Sequence, residues 1–479
     1  MKKFIEWFVG FVAISYVATV LFNFFHRVDL GGALVILTIG ATGSFYLKLR
    51  SDLFSSYRMP LWFFPAVVLF SFQAIFYQAR FVDTHVYHLP GALLMNKSVW
   101  FPGIGHISHH MAFPNASSVI SSLFTSTGIV GIENLIGYLT WIFLGVGVFL
   151  YLSRYISKKL SLCVMGIFLL SGNIYFQMCN MGTDLPCVTF MLFGLLAVKE
   201  KKLPESLLFL ALSAGFKPLG LVAFGLVFFY SLVARSFRVN RWSVLALVVV
   251  GVTFLRTYLA TGNPFYPLIR VCWADWGFSV DTQERIVNGS LLRYSGVERT
   301  VTGAWNLLIA LFVAPIKYKS ADWFSTFFLV LAIPYLWVCK GFKKFLAFRN
   351  ALIIILFSVW FVGSPLIRFV EGLLMYMTIQ MVIQLSQVKL HKFVKGAIAA
   401  SMVFTFLYFM DSIYWQSSRI PAFSVTRVEY PLKTPDGRVI FSEIKSTTCG
   451  RSPQPCINKY TVDKDKFLKG YLQHNFKEE

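Results

Sequence analysis

The stretch Arg80-Phe81-Val82-Asp83-Thr84-His85-Val86-Tyr87-His88-Leu89-Pro90 sets a carboxylate, two imidazoles and a phenol close together in sequence. A partly desolvated carboxylate such as Asp83 can take the proton of a hydroxyl as that hydroxyl attacks an electrophilic carbon. The alternative is a solvated loop acid near a helix end. His106, His109 and His110 follow, and with His85 and His88 they can bind a metal. Their spacing matches no tight motif, and the cysteine ligands of zinc modules are missing, so hydrogen-bonding histidines are the plainer reading. No metal site is assigned; a divalent ion is the less favoured reading and no other cofactor is called for. Asp184, beside Pro186, suits either a helix N-cap or an active site. Lys217 and Arg368 can clamp a phosphate or snorkel to lipid headgroups.

The elements that must position these groups are read from composition and charge. The chain has 479 residues, 56% hydrophobic and only 14% charged, with a mean hydropathy of +0.64. A soluble domain carries roughly a quarter charged residues, so the expectation is an all-α integral membrane protein. The net charge of +22 comes from short basic loops between apolar runs. It therefore reads as a topology signal and not as nucleic-acid binding.

Spans one to three run about Phe4–Phe24, Leu30–Leu47 and Pro60–Tyr77. Spans four to six run about Gly131–Leu152, Leu160–Met178 and Pro186–Val198. Leu203–Tyr230 holds two spans broken at Lys217-Pro218, and span nine is about Trp242–Leu259. Spans ten to thirteen are about Trp323–Val338, Ala351–Val362, Val370–Leu385 and Ala397–Phe409. Ala304–Ile316 is set aside as interfacial or re-entrant, because a span there would put the basic cluster from Lys340 to Arg349 outside.

The chain then divides into 1–79 (spans one to three), 80–130 (a first large outer loop) and 131–260 (spans four to nine). A second outer loop, 261–322, precedes spans ten to thirteen in 323–410 and an outer tail in 411–479. Thr84–Met95 and Ala116–Thr127 of the first loop suit short interfacial helices. This makes about thirteen spans with the N-terminus cytoplasmic. Asp83, His85, His88, His106, His109, His110, Asp184, Lys217 and Arg368 all fall on the outer side. Cys449 and Cys456 close a Pro/Gly-rich loop in the tail and are expected to pair in an oxidising compartment, free thiols being the alternative.

The pattern resembles the GT-C superfamily of membrane glycosyltransferases. Asp83-Thr-His-Val-Tyr-His88-Leu-Pro90 is similar to a loop signature of bacterial members. Phe101-Pro-Gly-Ile-Gly105, Gly182-Thr-Asp184-Leu-Pro186, Lys217-Pro218 and Thr261-Gly-Asn-Pro-Phe-Tyr-Pro267 look like later landmarks of the same group. The resemblance implies a GT-C-like core and inverting transfer of a sugar from a polyprenyl-phosphate donor to a lipid, glycan or protein acceptor. It implies Asp83 as general base or acceptor orienter and basic residues holding the lipid phosphate, and Asp184, where it is not a cap, is the second catalytic candidate. Tyr87, the histidines, Lys217, Tyr266 and Arg368 would then contact substrate. It also implies a bacterial inner membrane, with the active site and C-terminus on the periplasmic face. Two departures stand out: Asp83 follows the third span where the family has it after the first, and the first outer loop holds no Asp-x-Asp pair.

Two other readings have their own marks. An O-antigen polymerase or ligase would centre on Arg285, Arg293 and Arg299. A transporter or flippase would need mid-span charges and repeated halves.

Overall fold

The computed structural model describes residues 2–47, 49–55, 63, 65, 84–129, 132–169, 174, 177–178, 180–269, 271–286, 352–353, 355–356, 371–387, 429–433, 439–444 and 466. The first helices are α1 (Lys2–Asn23), α2 (Leu30–Leu47), α3 (Leu89–Lys97) and α4 (Ala116–Thr125). They are followed by α5 (Leu135–Leu152), α6 (Lys158–Leu169), α7 (Asp184–Lys199), α8 (Leu203–Phe216) and α9 (Pro218–Val233). The last are α10 (Arg241–Thr261) and α11 (Glu371–Gln387). Strands β1 (Glu429–Lys433) and β2 (Val439–Ile444) form an antiparallel pair in which Tyr430 faces Glu443, so the tail contributes β-structure to a chain read from sequence as all-α.

Local chemistry sets several helix ends. Asn240 caps α10 by accepting from Trp242 N and Ser243 N at 3.0 and 3.1 Å, while Ser243 Oγ accepts from Asn240 N at 2.9 Å. Pro218 stands in the first turn of α9 and cannot donate to α8, which ends at Phe216 with Lys217 extended between them.

Among the described residues four helical segments are long and apolar enough to cross a membrane: Lys2–Asn23, Leu30–Leu47, Ile132–Leu152 and Arg241–Thr261. This corrects the expectation of about thirteen spans around a GT-C-like core. Apolar composition alone does not make a span, because turn and helix-start residues cut the runs short. The 14 residues of α8 rise about 21 Å and the 16 of α9 about 24 Å, against a hydrocarbon core of about 30 Å. Pro60–Tyr77 (apart from Phe63 and Pro65), Trp323–Val338, Ala397–Phe409 and Ala304–Ile316 lie outside the described residues.

The long helices turn apolar side chains outward: Leu34, Val35 and Phe45 on α2, Phe229 and Val233 on α9, Val244 and Leu247 on α10. A helix facing water would carry polar residues there. This is the character of a multi-pass membrane protein.

The helices alternate in direction, which sorts the polar residues into two ends. One end gathers Lys2, Glu6, Ser51, Asp52, Arg154, Lys199, Glu200, Lys202 and Glu205. Lys2 and Lys202 reach Asp52 at 3.7 and 3.4 Å, and Glu6 accepts from Ser51 N at 2.7 Å. Ser51 Oγ donates to Glu205. Arg154 pairs with Glu200 at 3.7 Å and donates to Leu53 O at 2.8 Å. The other end holds the α1–α2 turn and the segment from Thr84 to Thr127, which is tied onto it. Asn23 Nδ2 donates to Met95 O and Ser98 O at 3.3 and 3.1 Å, and Asn96 bridges Val28 O and Ser122 O.

Helix α4 lies inside this second end, against α1, α2, α3 and α5. All ten of its residues are buried, so it is a core element and does not lie on an interface with one face free. Five of the ten are Ser or Thr. Each can return its hydroxyl proton to a nearby carbonyl, which is how a polar helix tolerates an apolar surround.

Candidate functional site

The site is built on the N-terminus of α4. Asn115 caps the helix, its Oδ1 accepting from Ser118 N at 3.1 Å, and the same Oδ1 lies 3.2 Å from His88 Nδ1. Ser118 Oγ donates to His88 O at 3.0 Å. One residue earlier, Ser117 Oγ donates to Gly182 O at 2.9 Å. The same short turn thus holds the loop that ends in His88 and the loop that ends in Asp184. Leu89 and Ala92 of α3 pack on Met181, which closes the contact from the apolar side.

Asp184 is the first residue of α7, and Thr183 takes the cap position. The Asp184 carboxylate is not a cap: it forms an ion pair with Lys217 Nζ, the residue between α8 and α9. Both are largely buried, with side chains 7% and 19% exposed. The helix N-terminus adds a favourable field for the carboxylate. Ser213 and Cys187, one turn inward, link α7 to α8, with Ser213 Oγ donating to Cys187 O at 3.0 Å.

Beside His88 runs a chain of rings. Tyr87 lies 4.2 Å from His88 and stacks on His110 at 4.3 Å; His110 leads to Phe113, and Phe113 to Tyr266 at 5.2 Å. Tyr266 is buried against Phe278, and burial pushes its phenol above the ordinary value. His106 sits in the same aromatic group, 5.0 Å from Phe278, with Nε2 2.9 Å from Trp276 O.

The structure therefore brings Tyr87, His88, His110, Asp184 and Lys217 around one helix start, and places His106 and Tyr266 in an adjoining aromatic cluster. The side chains of His85 and His109 lie outside the described residues, as do Asp83, Arg368, Cys449 and Cys456. Among the described residues no group of three or more His, Cys, Asp or Glu is arranged to hold a metal. Arg285 is exposed, and Arg293 and Arg299 are outside the described set.

Arg256 and Glu371 are buried charged residues that no sequence motif marks. Arg256, on α10, is 2% exposed and faces no carboxylate among the described residues. Its guanidinium donates to Phe113 O at 3.1 Å and Met111 O at 3.4 Å and lies 4.3 Å from the Trp100 ring centre. It holds the segment carrying His110 and Asn115 against the helix. An arginine inside an apolar run was the signal for it. The second is Glu371, 4% exposed at the start of α11. Gly372 lets α11 touch α7, since a Cβ there would lie 2.4 Å from Val188 O. Val188 is one turn beyond Asp184 on the same face. Glu371 thus begins α11 beside the first turns of α7.

The chain belongs to a family described only as a domain of unknown function (DUF8201), whose model matches residues 1–375, a range that holds every residue of this site. No curated protein and no solved structure matches the chain. These findings correct the resemblance to the GT-C superfamily. The family matched is one of unknown function, and the four candidate spans among the described residues do not make that architecture. The assignment as a polyprenyl-phosphate-dependent glycosyltransferase of envelope biogenesis, with its inverting sugar transfer, falls with it. Its landmarks were short Gly- and Pro-rich turns, which any polytopic helical chain needs at its helix ends.

Proposed function

We propose that this member of the DUF8201 family is a membrane-embedded enzyme that performs proton-transfer chemistry on a lipid-borne substrate. The observation that carries the reading is the convergence of the buried Asp184–Lys217 pair and His88 on the start of α4. Ionisable groups are costly at such depth, and a site that gathers a carboxylate, an ammonium and an imidazole can exchange protons with a bound group. Lys217 would meet the anionic part of a head group as a point charge, and Asp184 would hold Lys217 in place until it does. His88, oriented by Asn115, is the base or acid. The basic end of the bundle faces the cytoplasm on this reading, and the site opens on the opposite side of the membrane.

Cells expressing the wild type, Asp184→Asn or Lys217→Met are compared by mass spectrometry of their lipid extracts. Equal amounts of each protein in the membrane are confirmed first. The expected result is a lipid species that depends on the wild type and disappears in both variants. Lipid profiles indistinguishable between wild-type cells and cells lacking the protein would overturn the enzyme reading.

A further inference from the structure

Asn134 and Gln177 are 1% and 5% exposed, and among the described residues neither amide has a hydrogen-bond partner for its oxygen or its nitrogen. Each such atom costs stability, and apolar residues of similar size would avoid that cost. The two lie close together. Asn134 immediately precedes α5, and Gly137, three residues on and on the same side of the helix, packs so tightly that a Cβ would lie 3.1 Å from Gln177 O and 2.7 Å from Asn180 O. Helix α4 clamps both strands of this contact, Ser121 donating to Glu133 O at 2.9 Å and Ser117 to Gly182 O. The two residues therefore sit on backbone that flanks the loop delivering Asp184.

A carboxamide presents an acceptor oxygen and a donor nitrogen. A group that satisfies both must itself donate and accept. A fully ionised phosphate only accepts and an ammonium only donates, whereas a hydroxyl does both. We infer that Asn134 and Gln177 form a subsite for the hydroxyl-bearing head group of a lipid, beside the Asp184–Lys217 pair. The inference rests on the lipid-substrate reading above, and names the part of the substrate that reading leaves open.

The test uses the full chain in phosphatidylcholine nanodiscs carrying either phosphatidylglycerol, whose head group has hydroxyls, or phosphatidic acid, which has the phosphate without them. The readout is the thermal unfolding midpoint. The wild type is expected to unfold at a higher temperature with phosphatidylglycerol than with phosphatidic acid. In Asn134→Leu and Gln177→Met the difference should vanish, while the midpoint with phosphatidic acid stays level or rises. The lipid's apparent affinity should fall about tenfold, the factor one ordinary hydrogen bond supplies. Equal wild-type midpoints in the two bilayers overturn the inference, as buried water in the same role would give that result. So does a difference that survives in Gln177→Met, or a midpoint lowered equally in both bilayers. Asp184→Asn should keep the lipid difference while losing turnover, so failure of this subsite and failure of the enzyme reading give separate signals.

Discussion

Lys217 illustrates why single residues matter at this site. It neutralises Asp184 where water is scarce, so removing one partner leaves a buried charge, which costs about 3–5 kcal/mol. Lys217→Met should therefore lower the unfolding midpoint strongly, and the double variant Asp184→Leu with Lys217→Met should recover most of the loss. A double variant as unstable as the single one would show that the pair is not the source. Asp184 and Lys217 were both legible in the sequence, because polar residues beside Pro186 and Pro218 interrupt apolar runs. Arg256 was equally visible as a charge inside such a run, yet its role was not. Only packing shows that its guanidinium reaches the carbonyls of Met111 and Phe113.

At the scale of elements, the crossing of α7 and α11 decides whether Glu371 stands near Asp184. That crossing is a backbone contact, since the atoms nearest a Cβ on Gly372 are O, Cα and C of Val188. Gly372→Val should force the helices apart, at about 1–3 kcal/mol or more. Val188→Ala in the same chain should not rescue it, because no side chain is in the way. Full rescue, seen as a restored unfolding midpoint, would refute the contact. Helix α4 carries a second lesson. As part of the first outer loop, Ala116–Thr127 suits a short helix lying in the interface. The structure buries the helix instead, because each hydroxyl finds a carbonyl and no longer needs water.

At the scale of the molecule, the two ends differ in chemistry, and the basic end titrates. Burial alone would raise the Glu200 carboxyl, but hydrogen bonds from Tyr155 and Tyr151 and the charges of Lys199 and Arg154 outweigh it and hold the group below its ordinary value. Folded Glu200 thus keeps its charge to lower pH than unfolded Glu200. Its contribution is full above the unfolded value of about 4.3 and is lost as pH falls through the folded one. The gap in unfolding midpoint between wild type and Glu200→Gln should be constant near neutrality and close as pH drops below about 4. A gap that widens on acidification would contradict the network.

The sequence by itself determined that this chain is helical, strongly apolar and sorted by charge into two ends. Those properties follow from composition and from where lysine and arginine fall between apolar runs, and they need no knowledge of contacts. It also marked Asp184 and Lys217 as polar residues at helix ends and His88 as a polar residue of the outer loop. The tertiary structure alone decided which runs among the described residues make full-length spans, because turn residues inside a run shorten a helix without changing its apolarity. It alone joined His88 to Asp184 through the start of α4, and set Asn134 beside Gln177. Those pairings are far apart in the chain, and their hydrogen bonds and glycine contacts exist only once the helices have packed.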